Sequence, residues 1–476
     1  MAEEMAGSAA SSTTTTPPID SNTAILLHGI DIRILAKAVN CDQDIVELGP
    51  LIAHTPPAQL ANANALKDAF PSPIGLQLFH YFYQVASQHL VTMGESGVNP
   101  ILTLCTPARL LDTSCAAAAA LRMSILSVSL AHISNDLRMS KVCNEEQKGP
   151  LMQGIQALGA KLKTATLANI VLVEEDENDQ FDTVLASCVL TMIRDVISAD
   201  ITWHENFEYA IRMVTKRGGP EAVLNEDRSN FTRRFLLENL AAHDVFSCFI
   251  TRKEPALLDR FEPWWYSCVD HSSVSWEWES VERTFGISRG MLEFLSRVVT
   301  LDAQKRRLGI NFQQPNESMQ KVEDFMQRQA ESLLMELDVW CNGLNSTAQH
   351  VRVKCGDYIY KYSANVFILG SILDRPCEST RIAHSIEYVL ELCSEATALR
   401  QVVMLVWPLL ICSSFCLESK REKILELVDA FQDDYCEDLQ VARELMLAQW
   451  KGIDGGLGRR SFRQVMDSID KNVLLI

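Results

Sequence analysis

The stretch VLASCVLTMIRDVISADITWHENFEYAIRMVTKRGGP, residues 184–220, encodes a complete helical hairpin. In its first half, apolar side chains recur at spacings of one, three and four residues, which places them on one stripe of a helix. Polar side chains at 187, 191 and 194 are expected on the opposite side. The stripe consists of Val184, Leu185, Cys188, Val189, Met192, Ile193 and Val196. At about 1.5–3 kcal/mol for each buried side chain, the stripe stabilises by on the order of 10–20 kcal/mol before chain entropy is subtracted. We therefore expect this helix to face a large core.

The second helix of the hairpin is predicted to begin near Trp203. Thr202 and Glu205 have the spacing of a capping box, in which each side chain binds a free backbone N–H group. The apolar face consists of Phe207, Ala210, Ile211 and Val214. Basic residues occupy the last turn, where they suit the helix dipole, and the GGP sequence at 218–220 ends the helix.

Composition limits the classes of function. The chain has 476 residues, of which 47% are hydrophobic and 22% are charged, as in an ordinary globular protein. Its 43 basic and 61 acidic residues give a formal net charge of -18, so we expect no direct nucleic-acid contact from this chain. The 14 cysteines are spread along the whole length and fall mostly on apolar stripes, which indicates reduced core thiols.

Targeting signals are not recognised in the sequence. The N-terminal residues MAEEMAGSAASSTTTTPP contain neither the basic nor the apolar region of a secretory signal. The long apolar run at 402–416 is shorter than the roughly 20 residues that a membrane span requires, and it contains Pro408. It is therefore predicted to be a buried helix or helix pair. We expect a nucleocytoplasmic protein without membrane partners.

The chain divides into three parts by composition. Residues 1–22 are predicted to be a disordered tail rich in Ser, Thr and Pro, and residues 23–75 a linker with a short helix. Residues 76–476 carry helical periodicity almost throughout, and no alternating segment bounded by turn residues indicates a strand. The predicted fold is therefore all-α, a large irregular bundle of packed antiparallel helical hairpins. No fixed repeat length indicates a regular solenoid.

Several blocks of this helical region carry a family resemblance when they are taken in order. They are LRMSILSVSLAHIS at 121–134, VLASCVLTMIRDV at 184–196, TWHENFEYAIRMVTKRGG at 202–219, FLLENLAAHDVFS at 235–247, FGISRGMLEFLSRVV at 285–299, YSANVFILGSIL at 362–373 and VVMLVWPLLICSSFC at 402–416. In this order they resemble the fungal-specific transcription factor regulatory domain, the helical region that follows the binuclear zinc-cluster DNA-binding module of fungal regulators. The resemblance extends from about residue 79 to residue 462.

The resemblance implies a nuclear regulator of transcription by RNA polymerase II, whose helical domain is regulatory and not catalytic. It implies partners among transcription-machinery or regulator proteins, with a small-molecule effector and a homo- or heterodimer as further options. No catalytic, cofactor-binding or metal-binding residue is assigned, and no cofactor is predicted.

One departure from the family pattern concerns zinc. A zinc cluster needs six cysteine thiolates within a few dozen residues, yet this sequence has no Cys-x-x-Cys pair. The nearest grouping is Cys412, Cys416 and Cys436, which lie among apolar residues. The Gly-x-Ser block, which often contains a cysteine in the family, has Ile287 here. Zinc binding and DNA contact are therefore not transferred to this chain, and either a truncated gene model or a family member without the cluster explains the difference.

An acidic string offers an alternative function of a different class. Asp433, Asp434 and Glu437 match the short Asp-Asp-x-x-Glu pattern by which all-helical terpene synthases hold magnesium on diphosphate. That chemistry needs a second metal motif downstream, whereas the similar string at Asn135-Asp136 lies upstream. A solvated acidic turn is the preferred interpretation. A magnesium-dependent enzyme remains one alternative, and a helical protein-interaction scaffold is another.

Histidines on apolar helices are the next candidates. His243 and Asp244 could act as an acid and base, but adjacent helical positions point about 100° apart. A buried hydrogen-bonding role that holds helices in register is preferred. His132 and the pair Trp203-His204 are likewise interpreted as core or cap residues.

Two further groups have structural interpretations. Cys412 and Cys416 could share a helix face, but two thiols without His or acidic partners make a poor metal site, so they are assigned to the core. The cluster of Trp264, Trp265, Trp276 and Trp278 either lines a pocket or partner groove or packs as a lid on the core. A longer apolar stripe, from Val322 through Met326, Leu333 and Leu337 to Trp340, predicts another core-facing helix.

Overall fold

The computed structural model describes eleven ranges of the chain. They are residues 25–37, 63–91, 99–173, 180–227, 230–259, 262–266, 280–313, 319–344, 351–398, 404–431 and 437–474. Within them the fold is all-α, as the periodicity predicts. A two-residue antiparallel bridge between β1 (Leu26–Leu27) and β2 (Ile30–Asp31) is the exception in these ranges. The remainder is an irregular bundle in which consecutive helices pack as hairpins.

Ten helices are described in the first half. They are α1 (Ile32–Lys37), α2 (Ala63–Ala69), α3 (Pro73–Tyr81), α4 (Ser87–His89), α5 (Pro107–Leu110), α6 (Ala116–Met139), α7 (Glu145–Leu172), α8 (Phe181–Ile197), α9 (Trp203–Lys216) and α10 (Gly219–Glu226). A π-helical turn at Phe82–Ala86 joins α3 to α4, and a 3₁₀ turn at Pro100–Leu104 precedes α5.

The described helices of the second half follow the same pattern. They are α11 (Phe231–Thr251), α12 (Pro263–Tyr266), α13 (Ser280–Phe285), α14 (Arg289–Arg307), α15 (Gln320–Gly343), α16 (Val351–Phe367), α17 (Thr380–Ala398), α18 (Val406–Phe415), α19 (Arg421–Ala430), α20 (Glu437–Asp454) and α21 (Phe462–Ser468). A π-helical turn at Ile368–Ile372 extends α16, and a 3₁₀ turn at Glu418–Lys420 precedes α19.

Helix α8 is buried more completely than its apolar stripe predicts. Ser187, Thr191 and Arg194, expected on an outer face, are as inaccessible as the apolar residues. The two hydroxyls satisfy themselves within the helix, since Ser187 donates to the Thr183 carbonyl and Thr191 donates to the Ser187 carbonyl. The helix contacts α6, α9 and α11. It is therefore an internal helix rather than a surface one.

The link between α8 and α9 differs from its predicted form. Thr202 precedes α9, but its side chain makes no capping hydrogen bond. Its hydroxyl instead lies 2.8 Å from the Asp200 carboxylate and accepts a hydrogen bond from Lys163. The capping-box prediction is wrong because Asp200 in the link and Lys163 of α7 engage the threonine more strongly than a backbone amide. The predicted stop is correct, since Gly218 has a φ of 90° and α10 begins immediately afterwards.

Helix α6 is the centre of the first half. It packs against α3, α7 and α8 and is apolar on nearly every side. Two serines in it bond across to neighbouring backbones, Ser127 to the Gly159 carbonyl and Ser129 to the Leu78 carbonyl. By length and composition α6 alone among the described helices could cross a membrane, but 83% of its most apolar window is buried by the other helices. It is accordingly described as a core helix.

Residues 25–37 pack on the same core. Ile32 and Leu35 are fully buried, and α1 lies against α7. A Cβ atom at Gly154 of α7 would lie 2.6 Å from the Ala36 carbonyl oxygen, so glycine permits this close approach. The predicted division of the chain at residue 75 stays a prediction, and the predicted tail at 1–22 lies outside the described residues.

In the second half, the described part of the long apolar run at 402–416 contains the single helix α18, with Pro408 in its first turn. Trp407 stacks on Tyr360 of α16 with ring centroids 5.4 Å apart. Tyr360 donates its hydroxyl hydrogen to the Met404 carbonyl. This aromatic pair places α16 directly against α18.

Helix α16 also approaches the turn before α14 without any side chain between them. Gly356 lies against the carbonyl oxygen of Gly286, and the next residue, Asp357, accepts a hydrogen bond from the Ser288 backbone N–H at 2.7 Å. Ser288 in turn caps α14 by accepting a hydrogen bond from the Met291 backbone N–H group. The close approach and the cap depend on each other.

Replacement of Gly356 by alanine tests this contact. The new methyl group would overlap a backbone carbonyl that cannot rotate away, so we expect Gly356→Ala to lower the free energy of unfolding by about 1–3 kcal/mol. Gly343→Ala is the matched control, because a Cβ atom there meets nothing within 4 Å. Thermal unfolding followed by circular dichroism should show a lower midpoint for Gly356→Ala alone. Equal midpoints would contradict the close approach.

Candidate functional site

The acidic string is only partly described. Asp433 and Asp434 lie outside the described residues, whereas Glu437 is the first residue of α20 and lies 3.9 Å from the Arg138 guanidinium of α6. Within the described ranges, no group of three or more His, Cys, Asp or Glu side chains is placed to hold a metal ion. The part of the motif that is described thus forms an ion pair between helices.

The next residue, Asp438, is the more unusual carboxyl group. It is 4% exposed and accepts a hydrogen bond from the Leu439 backbone N–H. Burial raises its pKa to about 7, because an ionised carboxylate loses its hydration at this position. Asp438 was not identified from the sequence, since an acidic residue at a helix start is ordinarily exposed.

His243 and Asp244 do not bond to each other, in line with their divergent directions on α11. The His243 Nδ1 atom lies 2.8 Å from the Asn239 carbonyl oxygen of the same helix. Asp244 accepts hydrogen bonds from the Ala256 and Leu257 backbone N–H groups and so fixes the loop that follows the helix. Burial lowers the pKa of His243 to about 4 and raises that of Asp244 to about 6.

His132 belongs to a cluster that no single stretch of sequence reveals. Its Nδ1 lies 2.6 Å from the Tyr81 hydroxyl, which donates to Asp136 at 3.0 Å. Asp136 also binds His28, and the other ring nitrogen of His132 lies 3.0 Å from His89. Burial lowers the pKa of His132 to about 4, so the ring is neutral near pH 7. The cluster joins the β1–β2 turn and α3–α4 to α6.

A second polar cluster ties α7 to the α8–α9 hairpin. Lys163 lies 2.8 Å from the Asp195 carboxylate and 3.5 Å from that of Asp200. Arg194 pairs with both of the same carboxylates. Burial alone would raise the pKa of Asp200, but the charges of Arg194 and Lys163 outweigh it and hold that pKa below its usual range. These ion pairs join α7 to the α8–α9 hairpin.

The remaining sequence candidates lie in the core. Trp203 is buried beside Phe207, with ring centroids 5.6 Å apart, and His204 adjoins it. Cys412 is fully buried, and burial raises the pKa of its thiol. Burial also raises the pKa of Cys416 to about 11, so neither sulfur is a thiolate near pH 7.

Two of the clustered tryptophans are described. Trp264 and Trp265 are buried, and their indole N–H groups donate to the carbonyls of Leu257 and Arg289. They pack as a lid on the core, one of the two arrangements that the sequence left open. Trp276 and Trp278 lie outside the described part of the chain.

A groove beside this lid was not predicted. It has a volume of about 770 Å³ and lies between α14 and α15 with α12 at one end. It is lined by Tyr266, Gly290, Glu293, Phe294, Arg297, Ser332, Met335, Glu336, Val339 and Trp340. The stripe of α15 predicted from the sequence does face the core, but apolar residues outside that stripe, Met335 and Val339, are largely exposed. The position of these two apolar residues outside the predicted stripe is the feature of the sequence that could have indicated the groove.

A charged triad lies across the groove. Arg297 binds Glu336 of α15 at 2.5 Å and lies 3.9 Å from Glu293, which accepts a hydrogen bond from the Tyr266 hydroxyl at 3.0 Å. Phe294 and Trp340 form the apolar floor, with ring centroids 5.4 Å apart. The groove therefore presents aromatic and aliphatic surface beside carboxylate groups, a combination suited to binding.

The raised pKa of Asp438 has a consequence for stability. A carboxyl group whose pKa rises from 3.8 in the unfolded chain to about 7 in the folded one binds its proton more tightly when folded. Its contribution to the free energy of unfolding is complete below about pH 4 and is lost as the pH rises towards 7. We expect Asp438→Asn, which keeps the acceptor oxygen, to gain about 2–4 kcal/mol relative to wild type between pH 4 and pH 8. Denaturant unfolding at several pH values measures the gain, and parallel pH profiles would contradict it.

Removal of one positive charge from the second polar cluster should lower the free energy of unfolding. Lys163→Met leaves the Asp195 carboxylate buried with one cation fewer, so we expect a loss of about 3–5 kcal/mol in the free energy of unfolding. Lys451→Met, at an exposed position of α20, is the matched control and should change it by less than about 0.5 kcal/mol. Denaturation of both variants at pH 7 makes the comparison, and similar values would show that the ion pair contributes little.

Comparison with known proteins gives one match. The family model described as the fungal specific transcription factor domain matches residues 77–476. No curated protein matches the chain, and no solved structure does. The match begins within α3 and includes the α8–α9 hairpin. It also includes His132 on α6, Lys163 on α7, and the groove between α14 and α15.

Proposed function

Because this chain belongs to the family of the fungal specific transcription factor domain, we propose that it regulates transcription through contacts with other proteins and catalyses no reaction. The observation that carries the proposal is the family match over residues 77–476, which includes most of the helical bundle. The family gives the broad role of a transcription regulator. We infer the non-catalytic mechanism from the structural contacts that the candidate polar side chains make.

The candidate polar groups are engaged in structural contacts. Asp244 binds two backbone N–H groups, Lys163 and Arg194 neutralise buried carboxylates, and His132 is held between Tyr81 and His89. A nucleophile or general base must instead reach a substrate with its reactive atom. These contacts support a regulatory helical bundle over the enzyme alternative.

DNA recognition is proposed to come from a separate module or partner. The net charge of -18 opposes the binding of phosphates, and the sequence has no Cys-x-x-Cys pair from which a zinc cluster could be built. We propose that the chain acts in the nucleus, in contact with transcription-machinery or regulator proteins. A small-molecule effector and dimer formation remain compatible options.

A tethering experiment tests this function. The full chain is fused to an unrelated DNA-binding module and placed upstream of a reporter gene in a fungal host. We expect reporter output to change by at least about tenfold relative to the DNA-binding module alone, and the untethered chain to have no effect. A fluorescent fusion should accumulate in the nucleus.

Inertness of the tethered chain would contradict the proposal. Magnesium-dependent turnover of a prenyl diphosphate, abolished by Asp433→Ala, would instead establish the enzyme alternative. Diffuse cytoplasmic fluorescence together with an inert reporter would favour the scaffold alternative.

A further inference from the structure

Helix α15 exposes a second apolar face in addition to the one that it buries. Phe325, Met335 and Val339 are 52%, 69% and 72% exposed, although all three are large apolar side chains. Ser332 lies between them, so that positions 325, 332 and 339 repeat every seven residues along one side of the helix. We call this surface, formed by Phe325, Ser332, Met335 and Val339, the outer face of α15. A helix with apolar residues on two sides packs against the core with one side and can accept a partner on the other.

The outer face continues into the groove between α14 and α15. Ser332, Met335 and Val339 belong to both, whereas Phe325 lies beyond the groove. At a rise of about 1.5 Å per residue, Phe325 and Val339 are about 21 Å apart along the helix. A compact small molecule in the groove would leave Phe325 uncovered. An elongated partner, such as another helix lying along α15, would cover the whole apolar surface.

A carboxylate oxygen in the groove points to the charge of the partner. Glu293 is 4% exposed and lines the groove, and its Oε2 accepts the Tyr266 hydroxyl hydrogen. Its other oxygen, Oε1, has no hydrogen-bond donor among the described residues, with Arg297 Nη1 at 3.9 Å. A buried carboxylate oxygen without a hydrogen bond is costly, so a donor supplied by a partner would be favourable there. Lysine and arginine side chains are the donors that also bring a compensating charge.

The charge of the surrounding surface agrees with that conclusion. Helix α15 contains five carboxylates and two basic side chains. Asp324, Glu331 and Asp338 repeat every seven residues along one flank of the outer face, and the whole chain carries a net charge of -18. A second copy of this chain would bring the same negative charge to the contact, which opposes self-association through this face.

We propose that the outer face of α15 and its groove bind a basic amphipathic helix of a partner protein. The apolar side of that helix covers Phe325, Met335 and Val339, and one of its Lys or Arg side chains donates to Glu293 Oε1. The inference deepens the proposed function in that the partner would be one of the regulatory proteins through which the chain acts. The docking surface itself follows from the geometry and charge of α14 and α15.

Binding of designed peptides tests the docking surface directly. The probe is a labelled amphipathic peptide of roughly 20 residues, long enough to span about 30 Å as a helix, with leucines on one side and lysines on its flanks. One control peptide replaces each lysine with glutamate, and another contains the same residues in a scrambled order without an apolar side. Fluorescence anisotropy with the full chain should give an affinity at least about tenfold higher for the lysine peptide than for either control. Equal affinities, or no binding of the lysine peptide, would overturn the proposal.

Substitutions locate the contact. We expect the double variant Met335→Ser/Val339→Ser to weaken binding of the lysine peptide at least about tenfold, and Phe325→Ser to weaken it severalfold. Glu293→Gln should weaken binding and reduce its dependence on salt. Leu457→Ser is the matched control, since Leu457 is also largely exposed but lies outside the groove. The serine variants replace exposed side chains, so their folding should be retained even if Glu293→Gln proves unstable.

Two results would identify a different occupant and overturn the helix proposal. Loss of binding in Met335→Ser/Val339→Ser with no change in Phe325→Ser would indicate a compact ligand confined to the groove. Self-association of the wild-type chain that the double variant abolishes, measured by light scattering, would indicate a second copy.

The tethered reporter separates this inference from the proposed function. An active wild-type fusion whose output is lost in Met335→Ser/Val339→Ser supports both, provided that Leu457→Ser remains active. An active wild type and an equally active double variant would overturn the docking surface and leave the regulatory function intact. An inert wild type whose purified chain still binds the lysine peptide would overturn the regulatory function and leave the docking surface intact.

Discussion

The burial of whole helices is the constraint on which the structure depends. Helices α6 and α8 are covered on nearly all sides, so every polar group that they carry must find a partner inside the protein. Serines meet this requirement by bonding to backbone carbonyls of their own helix or of a neighbour. Charged groups meet it through compact clusters, of which Lys163, Arg194, Asp195 and Asp200 form the most buried. Because buried charges are costly to separate, these clusters also fix which helices are neighbours.

The same constraint explains why residues with catalytic potential carry structural roles here. His132, His243 and Asp244 have pKa values displaced by burial, a property that in an enzyme often marks a catalytic group. Here each of the three side chains is hydrogen-bonded to a neighbour within the bundle. Its pKa is shifted because the charged form loses its hydration on burial. A displaced pKa therefore indicates function only when the group also faces a cavity. Glu293, in contrast to these three residues, is a buried carboxyl group that lines a groove.

Function in such a protein depends on the parts of the surface that do not contribute to folding of the bundle. Most helices bury one face and expose a polar one, whereas α15 carries apolar residues on both. Exposed apolar side chains of this size add nothing to folding and increase the risk of aggregation. Their retention beside acidic residues is explained if a partner covers them. The docking surface proposed on α14 and α15 accords with the regulatory role of the family.

The sequence by itself determined the class of fold, because helical periodicity depends on spacing within one segment. It placed the hairpin at 184–220, the Gly-Gly-Pro stop and the family, whose blocks are local and ordered. The tertiary structure alone decided which side chains meet. The Thr202 hydroxyl binds Asp200 of the same link and Lys163 of α7 instead of capping α9, and His132 of α6 contacts Tyr81 of α3. The groove likewise exists only where α14 and α15 pack together, and no spacing within one helix specifies the distance to another.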